Sequence, residues 1–428
     1  MFKVAPGVTH WQSPNYFAIF PAIVTYPSIL GEMYSAAFTA PAFNWLCSPA
    51  STELETVMMD WLAKALKLPC SFLSTSSNGG GSVIHGSASE AITTVMVAAR
   101  ERYIRTKIDQ EGLKEGSPER EEIEAYLRTR LVAIGSEETH SSTQKGAIIS
   151  ATRYRAMPVE LEEGYAITGA RLEAVLEQCQ KEGFHPYYMT ATLGTTTSCA
   201  VDRFDEIAEV KKKWPLIWVH VDGAYAGASL ICEEFQHYSR QIDIADSFNF
   251  NMHKWLMVNF DCSCLFIKRR ADLIQTFNVQ PAYLKNTFSE SGLVTDYRDW
   301  QIPLSRRFRA LKVWFVLRTY GIKGLQQHIR RSIHLGDIFA RLLKERSDII
   351  EIIWGPVFAL TCFRINPKKL NDDTELADKL TTKVAEQINA SGKIMITASR
   401  LAGRAVIRFL PANTNVTEQS TRRAGDYN

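Results

Sequence analysis

Residues 246–263 read DSFNFNMHKWLMVNFDCS. SFNF (247–250) is a short apolar run, and the residues that follow it, Asn251-Met252-His253-Lys254, concentrate groups able to do chemistry. A buried strand that ends in such a cluster is what an open α/β sheet presents to a ligand, because ligands sit outside the carboxyl ends of its strands.

The flanking sequence repeats the pattern. Upstream, LIWVHVD (216–222) ends in Asp222, YYMTATLG (187–194) runs into Thr195-Thr196-Thr197, and LVAIG (131–135) leads through a loop to His140. Downstream, CLFIK (264–268) is another short apolar run. Strands of this length alternating with helical stretches predict a mainly parallel sheet covered on both faces. Further upstream, SSNGGGSVIHGSASEA (76–91) begins with glycines that break structure. Ser87 and Glu90 then form a capping box, opening a helix whose apolar face is Ile92, Val95, Met96 and Ala99. Ser51 to Leu68 has helical spacing at Leu54, Val57, Met58, Trp61 and Leu62.

Past Arg306 the pattern changes to a long helical stretch, then FALTCFRI, a polar helix near 374–390, KIMITA and AVIRFL. The expected organisation is a Pro- and aromatic-rich, loop-rich segment over 1–50, a large α/β domain over 51–305, and a smaller α+β lobe over 306–428.

Composition narrows the function. A chain of 428 residues with 46% hydrophobic and 22% charged residues matches an ordinary globular enzyme. A formal charge of +3 without a basic block gives no support to nucleic-acid or membrane-surface binding. Eight scattered cysteines without a C-x-x-C pair predict free thiols in a reducing, cytoplasmic setting, and no metal site is expected. No apolar run is long enough to span a bilayer, and MFKVAPGVTHW lacks the order of a signal peptide.

The polar groups at the strand ends match the needs of pyridoxal phosphate. The cofactor requires an amine for a Schiff base, a carboxylate to keep its pyridine nitrogen protonated, and backbone N–H groups for its phosphate. Lys254, Asp222 and the Ser87–Ser89 helix start supply these in turn. Each alone has an ordinary reading. Lysines are mostly surface residues, an Asp at a strand end is commonly a cap, GSAS can be a helix cap only, and His140 can be structural. Their joint occurrence favours the cofactor, but periodicity does not name the reaction.

The sequence closely resembles the aromatic-L-amino-acid decarboxylases, of the group that includes histidine and glutamate decarboxylases. The resemblance runs from Pro6 to Pro411 through PGVTHWQSP, SPASTELETVMMDWL, HGSASEA, ATLGTTT, HVDGAYAG, DSFNFNMHKWLMVNFDCS and DYRDWQIPLSRRFRALKVWFVLR. It implies an aspartate-aminotransferase-like (type I) fold, pyridoxal 5′-phosphate as cofactor, and a homodimer with its active site at the subunit interface. By the same resemblance Lys254 is the Schiff-base lysine, Asp222 the pyridinium partner, and His140 the histidine that stacks on the ring. Ala88, Ser89, Thr196, Asn251 and His253 match positions around the cofactor, and Ala224 packs on its ring. Tyr283 matches the mobile-loop tyrosine on which Cα reprotonation depends. Aldehyde synthases of the family carry Phe there, or Asn in place of the histidine, so Tyr283 with His140 implies a true decarboxylase.

Trp11, Phe20, Pro21 and Phe43 match the substrate pocket, with Phe43 expected from the partner subunit. By burial all could equally be core. Ser305 matches a serine of plant tyrosine decarboxylases that is glycine in tryptophan decarboxylases, which favours tyrosine or dopa. Ala22 stands where animal members have Thr. Met252 replaces a proline, which is expected to loosen the lysine loop, and Gly223 replaces an alanine. Relatives extend beyond both ends of this chain, so a shortened product is expected. The alternatives are an aldehyde synthase or a non-catalytic paralogue.

Overall fold

The computed structural model describes residues 4–279, 287–290 and 294–426; Tyr283 lies outside them. The large sheet comprises β1 (Gly81–His85), β2 (Leu131–Ser136), β3 (Arg153–Met157), β4 (His185–Thr192), β5 (Trp218–Asp222), β6 (Ser247–Asn251) and β7 (Ser263–Ile267). Its order is β1-β7-β6-β5-β4-β2-β3, parallel except that β7 runs against both neighbours. The second sheet, β10-β11-β9-β8, is antiparallel, from β8 (Ile350–Val357), β9 (Leu360–Ile365), β10 (Thr397–Leu401) and β11 (Arg404–Phe409). The longer helices are α1 (Tyr26–Phe38), α2 (Pro49–Ala65), α3 (Ala88–Gln110), α4 (Pro118–Arg130), α5 (Ser141–Ile149), α6 (Gly169–Lys181), α7 (Phe204–Lys213), α8 (Arg270–Phe277), α9 (Ala310–Glu345), α10 (Thr374–Ala390) and α11 (Glu418–Asp426). None is long and apolar enough to cross a membrane.

The large sheet lacks polar alternation because helices cover both faces. Along β5, Val219 and Val221 enter one core with Ile134, Met189 and Phe248, while Trp218 enters the other with Val83, Tyr188 and Leu265. This is the mainly parallel, doubly covered sheet that the sequence implies. The expected strands at 131–135, 187–194, 216–222, 247–250 and 264–268 match β2, β4, β5, β6 and β7 to within a few residues. β1, β3 and β8 were not foreseen. β1 is masked by the glycines before it, and β3 (RYRAM) is an edge strand with much of its surface open. KIMITA (393–398) is only partly strand: Met395 forms an isolated bridge with Tyr16, and β10 begins at Thr397. The long C-terminal helix is interrupted at Gly321, whose φ of +60° departs from helical geometry.

The opening segment joins both lobes. Phe17 stacks on Phe409 at 4.3 Å within the small-lobe core, and the Leu410 N–H donates to the Phe17 carbonyl at 3.1 Å. Phe20, three residues on, packs on the large-lobe core.

A buried ion pair fixes α2 against β1 and the start of α9. Arg306 donates to both Glu55 oxygens at 2.6 and 3.0 Å, and Glu55 also accepts the Ile84 N–H at 2.8 Å. Glu55→Ala strands a guanidinium in the interior. It is expected to lower unfolding stability by about 3–5 kcal/mol, read by urea denaturation; a loss under about 1 kcal/mol would mean solvent reaches Arg306.

Candidate active site

The register sets the site residues level with one another. Thr192 pairs with Asp222, and Asp222 with Asn249. Asn251 pairs with Ser263, and Ser263 with His85. The β4, β5 and β6 ends, and the turn from β1 into α3, therefore open on one edge, with neighbouring strands about 4.8 Å apart.

Lys254 lies in a helical turn, Met252–Trp255, directly after β6. Met252 is buried, and its carbonyl accepts the Leu256 N–H at 3.0 Å, which closes the turn around Lys254. Lys254 Nζ is 5.1 Å from the centre of the Phe20 ring. Phe20 stacks on Tyr225 at 4.1 Å, and Tyr225 on Trp255 at 4.4 Å, giving an aromatic wall. A sliver of Lys254 stays open to solvent, but its amine is enclosed. Burial is the main influence and lowers its pKa; Asp222 opposes this, and Arg408 adds to it.

Asp222 is buried, and its Oδ1 accepts the Ala224 N–H at 2.9 Å. The Ala224 carbonyl accepts the Asn251 N–H at 3.0 Å, which ties the two strand ends together. Gly223 has a local reason: a Cβ there would lie 2.8 Å from the Phe248 ring. Asn251 Oδ1 is buried without a hydrogen-bond partner among the described residues. At α3, Ser87 Oγ accepts the Glu90 N–H at 3.2 Å, while the Glu90 carboxylate takes the Gly86 N–H at 2.9 Å. The first-turn N–H groups of Ala88 and Ser89 have no acceptor within the helix. Thr196 is half-buried in the turn closed by Thr195 and Ser198, whose hydroxyls are 2.8 Å apart.

His140 caps α5, its Nδ1 accepting the Ser142 N–H at 3.1 Å. In the neutral ring that bond leaves the proton on Nε2. The residue remains largely solvent-open, yet partial burial is the main influence on the ring and lowers its pKa, Asp222 raising and Lys254 lowering it in turn. His253 is turned to a structural task. Its Nδ1 accepts the Cys262 N–H at 2.8 Å, its ring meets Phe260 at 4.8 Å, and burial drives its pKa down to about 3.

Other expected pocket residues are dispersed. Pro21 is buried beside Phe20. Trp11 packs on Tyr16 at 5.0 Å, its carbonyl accepting from Asn413 Nδ2. The Phe43 carbonyl accepts the Arg298 N–H at 3.0 Å, among residues not seen to touch Lys254. Ser305 is exposed and lines, with Ala40, Pro41 and Phe308, a separate surface cleft of about 520 Å³.

Arg408 was missed. It is buried on β11, its Cζ 5.3 Å from the Phe20 ring centre and its Nε donating to the Thr197 carbonyl at 3.2 Å. Nη2 has no hydrogen-bond partner among the described residues. A buried guanidinium without a carboxylate is costly unless a ligand brings one. AVIRFL read only as a strand; the signal was its one charge in an otherwise apolar run.

The sequence model of the family described as pyridoxal-dependent decarboxylase conserved domain matches residues 2–366. Aromatic-L-amino-acid decarboxylase of Cavia porcellus is 42% identical over 424 residues, covering 99% of this chain and 84% of that protein. Tyrosine decarboxylase 2 of Narcissus pseudonarcissus is 41% identical over 425 residues, covering 99% and 81%. The crystal structure of Oryza sativa TDC with PLP and tryptamine superposes with a TM-score of 0.92 at 37% identity, covering 99% of this chain and 84% of that one.

Proposed function

Because the chain belongs to the pyridoxal-dependent decarboxylase family and is a carboxy-lyase of aromatic amino acids, we propose that it converts tyrosine or dopa to the corresponding amine and carbon dioxide. The observation that carries the site assignment is the buried amine of Lys254, within electrostatic reach of Asp222 and Arg408 and 5.1 Å from the Phe20 ring that Arg408 also approaches.

The residues fit pyridoxal phosphate. Lys254 offers an amine whose burial favours the neutral, nucleophilic form. Asp222 commits one oxygen to Ala224, and the other would hold the ring nitrogen protonated. The unpartnered Asn251 Oδ1 is an orphaned buried acceptor in the same site, and the Ala88 and Ser89 N–H groups offer a phosphate cradle. When bound, the cofactor supplies a conjugated ring that takes up the electron pair left as carbon dioxide departs.

The chain's own groups do the rest. Arg408 lies near Phe20 with an N–H that has no partner among the described residues, and would hold the substrate carboxylate. His140 presents Nε2–H from the lip of the cleft. The Phe20–Tyr225–Trp255 stack gives a flat, dry wall that suits an aromatic side chain. Tyr283 is the residue we assign to returning a proton to Cα, on the resemblance alone.

Phe43 and Ser305 would act in a second copy's site. Tyr26, Leu30, Met33, Tyr34 and Phe38 leave an apolar face of α1 exposed, with Ile302 and Leu304 exposed beside Ser305. An apolar face this broad supports a homodimer.

The test is the product mixture from tyrosine, dopa and tryptophan, together with sedimentation of the holoenzyme. Amine and carbon dioxide in equal amounts without peroxide, from a dimer, are expected, with tyrosine or dopa turned over better than tryptophan. Tyr283→Phe should divert product to aldehyde and peroxide. A wild-type enzyme that makes peroxide is an aldehyde synthase instead, and a preference for tryptophan removes the role given to Ser305.

A further inference from the structure

At the opposite edge of the large sheet, where β4 and β5 begin, is a cavity of about 610 Å³. Its walls are aromatic: Tyr103 from α3, Tyr126 from α4, Phe184 before β4, and Trp214 after α7. Its polar groups are Lys107, Lys213, His185, Gln110 and Gln180, and among the described lining residues there is no aspartate or glutamate. The five-residue β5 separates this edge from Asp222, so it lies on the order of 15 Å from the catalytic end.

The charge around it is unbalanced. Lys107 Nζ lies 5.9 Å from the Tyr103 ring centre. Arg130 lies over both Tyr126 and Phe184, at 5.8 and 5.9 Å, and Arg153 over Phe184 at 4.8 Å. No carboxylate partner is seen for these three cations among the described residues. Lys213 is the exception, paired with Glu173. His185 is held by Tyr103 Oη at 3.2 Å, and its pKa is lowered by burial first, then by Lys107 and Arg130. The ring therefore adds no charge near neutrality, and the imbalance comes from groups that stay cationic.

An aromatic-walled cavity of this size, rimmed by cations without counter-ions and by two amides, has the attributes of a small-ligand site. A cationic ligand such as the amine product would be repelled. A planar ring carrying one negative group would slot between Tyr103, Tyr126, Phe184 and Trp214 while neutralising Lys107. We propose that this cavity is a second binding site, separate from the catalytic one, for a small aromatic carboxylate.

The probe is 4-hydroxyphenylacetate, added to holoenzyme whose active site is saturated with tyramine, with binding followed by saturation-transfer NMR. Saturable binding is expected, and Lys107→Glu should weaken it at least tenfold while leaving decarboxylation without probe unchanged. Lys107→Gln should weaken it less, and 4-hydroxyphenylethanol, which lacks the carboxylate, should bind at least tenfold more weakly than the acid. Phe184→Ser, compared at equal thermal stability, should also reduce binding. Absence of saturable binding, or equal binding by wild type and Lys107→Glu, overturns the proposal. Capture of an acidic peptide in place of the probe overturns the small-ligand assignment as well.

Discussion

Lys254→Ala is expected to lower decarboxylation by at least about 10³-fold, the scale on which an enzyme loses rate when its covalent nucleophile is removed. Purified with added pyridoxal phosphate, the variant should also lack the visible absorbance of the lysine-linked cofactor. Folding should survive. The folded-state pKa of Lys254 is depressed below its ordinary 10.5, chiefly by burial. The unfolded chain therefore takes up a proton first as pH falls from about 10.5 towards the folded value. Over that window wild-type apoenzyme loses stability that the alanine variant keeps. Denaturation of the two apoproteins at neutral and alkaline pH measures this difference. A variant that keeps both absorbance and rate would move the cofactor lysine elsewhere.

Asp222→Asn is the second large effect. Its carboxylate is the strongest favourable charge acting on Lys254, and it is the group assigned to the protonated ring nitrogen. Turnover should fall by roughly 10²–10⁴-fold, comparable with loss of a positioned acid or base, although the asparagine preserves shape. A structural role alone would not move the next readout. Capture of pyridoxal phosphate by apoenzyme needs the neutral amine, so its rate rises through the Lys254 pKa. Asp222 raises that pKa and Arg408 lowers it. The rise should therefore move to lower pH in Asp222→Asn and to higher pH in Arg408→Met. A profile that stays fixed in both would mean that neither charge acts on the amine.

How much of this was legible in the sequence depended on where information is local. Asp222, Asn251 and Lys254 each follow the end of an apolar run, so period and polarity were enough to set them on one edge. β3 was not legible, because an edge strand half open to water carries no apolar run. Neither was β1, whose short GSVIH follows glycines that read as a break. The Phe20 wall and Arg408 were beyond reach for another reason. Phe20 stacks on Tyr225, about two hundred positions away, and Arg408 meets Thr197 at a similar separation and Phe20 at nearly twice that; no local spacing encodes that. Resemblance supplied Phe20, while Arg408 needed the structure. Gly223 is the reverse case: an apparent departure from the family becomes a packing requirement once Phe248 is seen beside it.

The stacking of Phe17 on Phe409 also has a temporal meaning. During synthesis the two rings emerge nearly four hundred residues apart, an interval on the order of 20–80 s at ordinary ribosomal speed. The first segment must wait, unpaired, while the large sheet can already assemble. Arg408 follows Lys254 by 154 residues, a shorter interval of roughly 8–30 s, and the last strand brings it to a cleft whose other walls were made earlier. A nascent chain thus has Lys254 and Asp222 before it has Arg408, and complete cofactor capture becomes a late, post-translational event.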